Sequence, residues 1–127
     1  MLTGHCECGA VRFTVKNARK EVTQCHCTQC RRFSGHVWAA THADFSDVVF
    51  EADQTLTWFS SSDFAKRGFC STCGCSLFYR MNDESGIGIA AGSIDEPNAL
   101  RPGKHIFTAD KGCYYELADD APHIEKF

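Results

Sequence analysis

The sequence predicts a mainly β fold with little helix. Three observations carry that reading. Apolar and polar residues alternate in several short segments, the signature of half-buried strands. Turn residues break these segments at intervals of about ten, the spacing of short-stranded sheet proteins. Phe occurs ten times among 127 residues, a usage that suits an aromatic-packed sheet core. Together they point to a sheet-rich sandwich or tent-like arrangement.

The elements follow in chain order. In Ala10–Lys16, Val11, Phe13 and Val15 share one face. His36–His42 sets Val37, Ala39 and Thr41 opposite Trp38 and Ala40. Val48–Glu51 and Leu56–Phe59 read as a hairpin around Asp53 and Gln54. Ser76–Met81 carries Leu77, Phe78 and Tyr79, and Gly86–Ala91 and Lys104–Thr108 read as further strands. Helix is confined to single turns at Thr28–Phe33 and at Ile94–Asn98, where Pro97 limits its length. No repeat or linker interrupts the chain, and its length fits one domain over residues 1–127.

Composition excludes several function classes. A net charge of −3 and a pI of about 6.0 argue against a broad nucleic-acid footprint, which needs a basic surface. No stretch supplies the roughly 20 apolar residues that span a bilayer. The start, Met1 to Cys6, lacks a basic segment followed by an apolar run, so no signal peptide is expected. A cytoplasmic location, where thiols stay reduced, is the corresponding expectation.

Nine cysteines are the outstanding feature. Their odd number and tight spacing favour metal binding over a disulfide framework. They form three groups: Cys6-Glu7-Cys8-Gly9, Cys25-His26-Cys27-Thr28-Gln29-Cys30 and Cys70-Ser71-Thr72-Cys73-Gly74-Cys75, with Cys113 apart. Structural zinc takes four soft ligands in a tetrahedron, and Cys70-x-x-Cys73-Gly74 is a knuckle that supplies two of them. Cys6 and Cys8 are the natural second pair; the alternative is that they are merely small apolar residues. Cys25, Cys27 and Cys30 place three thiolates in one short segment, leaving a fourth position open as in catalytic zinc sites. The competing reading closes that site with Cys75, Cys113 or a histidine. An iron–sulfur cluster is a further alternative, but the spacing departs from the usual ferredoxin runs. His26, between two ligands, is expected to point away from the metal, into its surroundings or to solvent. His105 is the better histidine for the pocket.

The motifs resemble a known family. Gly4-x-Cys6-x-Cys8-Gly9-Ala10-Val11-x-Phe13, Cys25-His26-Cys27-x-x-Cys30-Arg31-Arg32-x-Ser34-Gly35 and Gly68-Phe69-Cys70-x-x-Cys73-Gly74-x-Ser76-Leu77-Phe78 are similar, in order and spacing, to the three signatures of the glutathione-dependent formaldehyde-activating enzymes. Arg101-Pro102-x-x-His105-Ile106-Phe107, Tyr114-Tyr115 and Pro122 resemble the family's ending, so the likeness runs from about residue 4 to residue 122. It implies a zinc-bearing β-tent of short antiparallel sheets. It implies two zinc ions per chain, a structural one on Cys6, Cys8, Cys70 and Cys73 and a functional one on Cys25, Cys27 and Cys30. It implies a carbon–sulfur lyase that joins glutathione to formaldehyde, giving S-hydroxymethylglutathione. The sequence departs from the family pattern at Cys75, where a small Ser or Thr is expected, and at Tyr114, beside Cys113, where a Trp is usual.

The expected chemistry is delivery of a metal-held thiolate to formaldehyde or another small aldehyde. Three thiolates make the metal a weak Lewis acid, so it serves the nucleophile rather than the carbonyl. Glutathione carries two carboxylates, for which Arg31, Arg32, Lys66, Arg67 and Lys104 are the candidate cations. Ser34 and Gly35 are expected to line the same pocket, with Phe69 as a wall. The rival readings are a thiol carrier without turnover and a structural zinc module that presents an apolar patch around Trp58 and Phe59.

Overall fold

A computed structural model describes residues 1–127, and it is mainly β. Ten strands form two sheets. The small sheet has the order β1-β2-β5, with β1 Leu2–His5, β2 Arg12–Val15 and β5 Val48–Ala52. The large sheet runs β10-β3-β4-β9-β8-β7-β6. Its strands are β3 Glu21–Cys25, β4 Trp38–Asp44, β6 Leu56–Ser60, β7 Ala65–Cys70, β8 Ser76–Met81, β9 Gly86–Ala90 and β10 Arg101–Ile106. One α-helix, α1 Thr28–Ser34, follows β3, and single 3-10 turns complete the chain.

The alternation read from the sequence explains the core. On β2, Phe13 and Val15 turn inward, and Val11 just before it is fully buried. They pack with Val48 of β5 and, from the large sheet, with Leu77, Phe78, Ile87 and Ile89. Phe78 is the hinge of this cluster. Phe13 and Phe50 meet it edge-on at 5.1 and 5.6 Å between ring centroids, and Trp58 stacks on it at 6.0 Å. Edge-to-face contacts of this kind add stabilisation beyond area burial.

Two features depart from the expected organisation. Val48–Ala52 and Leu56–Ser60 do not pair as a hairpin. β5 pairs with β2, setting Val48 opposite Val15 and Phe50 opposite Phe13, while β6 pairs with β7 in the other sheet. Apolar residues that complement a distant strand outweighed the short turn, and the Asp53–Thr55 segment carries the chain between sheets. The sheets are also not wholly antiparallel. β10 lies parallel to β3, with a register shift between Pro102 and His105; a proline without an N–H interrupts such a ladder. This pairing sets His105 opposite Gln24, and Ile106 opposite Cys25.

Other boundaries moved by a few residues. The strand expected over His36–His42 runs from Trp38 to Asp44, because α1 and its Gly35 cap take up the preceding residues. The one expected over Lys104–Thr108 begins at Arg101. The turn sought at Ile94–Asn98 is a 3-10 turn at Pro97–Ala99. β1, β3 and β7 were not foreseen, since Thr, Gln, Lys, Arg and Gly dilute their alternation.

Candidate metal centres

The folded chain gathers seven of the nine cysteines into two groups. Cys6, Cys8, Cys70 and Cys73 form one, and Cys25, Cys27 and Cys30 the other; within each, all sulfurs lie within 4.8 Å of one another. No disulfide links them.

The four-cysteine group joins two loops, one from each sheet. In the first, Cys6 accepts the Val11 N–H on its Sγ at 3.3 Å, and the Cys6 carbonyl takes the Gly9 N–H at 3.0 Å. In the second, the Gly74 N–H donates to the Cys70 carbonyl at 2.7 Å, and the Cys70 N–H to the Cys75 carbonyl at 3.0 Å. Gly9 and Gly74 both sit in the left-handed region, at φ 79° and 78°, where a side chain is strained. Each loop thus ends its cysteine pair with the one residue that turns freely. The Cys6–Cys8 and Cys8–Cys70 sulfur separations are 3.6 and 3.7 Å. Zinc–sulfur bonds of about 2.3 Å in a tetrahedron require edges of about 3.8 Å. The group could therefore hold a zinc-sized ion with little rearrangement.

The three-cysteine group stands where β3 passes into α1. Cys25 ends the strand, Cys27 caps the helix by accepting the Cys30 N–H on its Sγ at 3.3 Å, and Cys30 occupies the first turn. Against it lies Arg67 of β7, whose side chain is only 3% exposed. Its Nη2 donates to Cys30 Sγ at 3.2 Å and its Nε to Gln29 Oε1 at 3.0 Å, while Nη1 is buried without a partner. Three rings enclose the guanidinium, Phe33 at 4.7 Å, Tyr79 at 4.9 Å and Trp38 at 5.8 Å. Lysine, a compact and strongly hydrated charge, suits such a stacked site less well.

Ionisation within each group is uneven. Hydrogen bonds from the Cys25 and Cys30 thiols pull Cys27 down to about 2. The same contact with Cys27 pushes Cys25 well above the ordinary thiol value. Cys30 is raised too: Cys25 favours its thiolate, but Cys27 and burial outweigh that help. Negative charge is thus favoured on Cys27 and disfavoured on its two neighbours. In the other group the Thr55 hydroxyl and the Cys73 amide lower Cys70 to about 6. Cys8 is helped by the Ala10 amide, yet burial and its cysteine neighbours push it up to about 12. Full ionisation of either group needs a metal, whose charge removes those protons.

The remaining expectations fall out as follows. Arg31 is half-buried, and Arg32, Ser34 and Gly35 are exposed at the end of α1. Ser34 Oγ donates to the Cys30 carbonyl at 2.7 Å, and Gly35 caps the helix at φ 85°. Phe69 lies half-buried in β7 between Thr57 and Ser76. Lys66 lies over Trp58, 5.0 Å from the ring centroid, and Lys104 is exposed. The Trp58–Phe59 patch is divided, with Trp58 stacked on Phe78 and Phe59 exposed beside Phe33.

His26 takes one of the two settings expected for it, pointing into its surroundings. It is buried, not solvent-facing, and its ring bonds Tyr115 Oη at 2.5 Å through Nδ1 and His105 Nδ1 at 2.8 Å through Nε2. His105 therefore faces His26 and, on its other nitrogen, Asp119. Cys75 lies half-buried beside the four-cysteine group, and Cys113 is exposed. The role of Arg67 against Cys30 was not foreseen. No local signal marked it, since Lys66, Arg67 and Gly68 dilute the alternation of β7.

Comparison with known proteins agrees with this geometry. Residues 1–110 match the family model described as glutathione-dependent formaldehyde-activating enzyme. A Schizosaccharomyces pombe protein named as an uncharacterized lyase is 29% identical over 76 residues, 60% of this chain. The chain spans about half of that relative, 55% of its length. A crystal structure of a Rhodobacter sphaeroides protein superposes with a TM-score of 0.60 at 29% identity, covering 73% of this chain and 87% of the other.

Proposed function

The chain belongs to the glutathione-dependent formaldehyde-activating enzyme family, and on that premise we propose that it is a zinc-dependent carbon–sulfur lyase. It adds a thiol, glutathione or a similar one, to formaldehyde or another small aldehyde. We assign Cys6, Cys8, Cys70 and Cys73 to a structural zinc and Cys25, Cys27 and Cys30 to a functional one, within a single domain over residues 1–127. The observation that carries the reading is the second group: three sulfurs, no fourth cysteine, and a buried cation beside them.

When bound there, zinc would hold an incoming thiol as its thiolate at neutral pH. The chain's own residues do the rest. Cys27 is fixed by the amide of Cys30, so the group keeps its shape at the helix start. Arg67 offsets part of the negative charge of three thiolates, and its fork is oriented by Gln29. Phe33, Trp38 and Tyr79 keep water from the guanidinium, which strengthens its field. Arg31 and Arg32 follow Cys30 in α1 and would supply the cations for the carboxylates of a tripeptide thiol.

The test is calorimetry with glutathione on the zinc-loaded protein, followed by the rate of S-hydroxymethylglutathione formation. Wild-type protein should bind glutathione and exceed the spontaneous rate, whereas Cys27→Ser should stay folded and lose both. Binding without added rate would make the protein a thiol carrier. No binding with both centres loaded would overturn the reading for this thiol.

A further inference from the structure

Apart from the two cysteine groups, one other cluster of metal-ligating side chains is drawn together: His105, Asp119 and His123, with all donor atoms within 4.8 Å. His105 belongs to β10. Asp119 and His123 belong to the C-terminal tail, far from it in sequence. Backbone bonds fix the tail there. The His105 N–H donates to the Pro122 carbonyl at 2.8 Å, and the Ile124 N–H donates to the His105 carbonyl at 2.9 Å. The Ala121 N–H holds Asp119 Oδ1 at 3.1 Å.

The donor spacings fit a metal. His105 Nε2 lies 2.9 and 3.2 Å from the two carboxylate oxygens, and His123 Nε2 lies 3.3 Å from Oδ1. Metal–nitrogen and metal–oxygen bonds of about 2.1 Å in a tetrahedron give edges of about 3.4 Å. A simple ion pair between His105 and Asp119 would need no second histidine, yet His123 turns its Nε2 to the same carboxylate. The other nitrogen of His105 is held by His26 at 2.8 Å. That is the arrangement in which a histidine ligand's far nitrogen is fixed by a neighbour. His105 is buried, whereas Asp119 and His123 are 52% and 35% exposed, so one side of the cluster is open to water.

We propose that His105, Asp119 and His123 form a third metal site, which takes a divalent first-row transition ion with two imidazoles, one carboxylate and water. Two histidines and a carboxylate with open positions suit zinc, iron(II) or cobalt(II). The ion would clasp the tail to β10. Through His26, the residue between Cys25 and Cys27, it would stiffen the back of the three-cysteine group.

The experiment titrates the zinc-loaded, reduced protein with cobalt(II) and counts equivalents by absorption. Cysteine sites give intense sulfur charge-transfer bands; this site would add only weak visible bands without them. Wild-type protein should take up one equivalent more than His123→Ala, and the missing signal should be the weak one. Asp119→Asn should behave like His123→Ala. His5→Ala, which removes an exposed histidine paired with Asp95 at 2.6 Å, should match the wild type. Equal counts in wild type and His123→Ala would overturn the site, as would an equal loss in His5→Ala.

Discussion

The two cysteine groups are built from the same residue type and differ in what surrounds them. The four-cysteine group is set into the main core: Cys6 and Cys70 are fully buried beside Val11, Phe13 and Leu77. Its loops end in left-handed glycines, and the Cys6–Cys8 and Cys8–Cys70 separations already match a tetrahedral edge. The three-cysteine group rests in a smaller cluster with Trp38 and Ala40, at the junction of a strand and a short helix. Its nearest neighbour is a buried arginine rather than a fourth sulfur. The contrast teaches that the number of sulfurs gathered follows from how many chain segments meet. Where a loop from each sheet converges, the site closes. Where one segment supplies every sulfur, a position stays open and a charged neighbour sets its chemistry.

The largest effect that would test this contrast is loss of the closed site. Cys73→Ser should unfold the protein or leave it molten, since a structural zinc is worth on the order of 10 kcal/mol of folding free energy. Thermal unfolding followed by circular dichroism measures it. If Cys73→Ser melts no lower than Cys27→Ser, the division of labour between the groups fails.

A smaller effect is expected at Arg67. Arg67→Met preserves much of the volume but removes the donor to Cys30. Outer partners of metal ligands are typically worth 10–100-fold in metal affinity. Competition with a chelator should show that loss at the three-cysteine group and none at the other. Arg67→Lys should recover the charge but not the fork to Gln29, giving partial rescue.

The finest distinction is in protons. In the three-cysteine group the mutual hydrogen bonds favour the thiolate of Cys27 and the thiols of Cys25 and Cys30 before a metal binds. Metal binding there should release roughly two protons, so affinity should rise with pH and fall as the solution is acidified. Calorimetry in buffers of different ionisation enthalpy reads that number. Release near three in the wild type would show that the three thiols ionise independently.

Much of the site was legible before any coordinates. The cysteines that gather into groups were marked by their spacing, and α1 and β8 fall where the sequence put them, β8 over the same residues. The hairpin over Val48–Phe59 was misread because the local pattern of two alternating segments and a turn is compatible with either partner. Only the fit of Val48 and Phe50 against Val15 and Phe13 chooses. β7 was missed for a related reason. Lys66, Arg67 and Gly68 hide its period, although Arg67 is buried once Phe33, Trp38 and Tyr79 surround it.

The sequence by itself determined that the chain is mainly β and that its cysteines come in groups with metal-ligand spacing, because both follow from local spacing. Alternation every two residues and sulfurs two or three residues apart need no distant partner. What only the tertiary structure decided is which groups combine and what stands behind them. Cys6 and Cys70 meet because two sheets pack through Phe13 and Phe78. Arg67 reaches Cys30, and His105 reaches His26, because strands far apart in the chain lie side by side. Such contacts are fixed by long-range burial, and no local pattern encodes them.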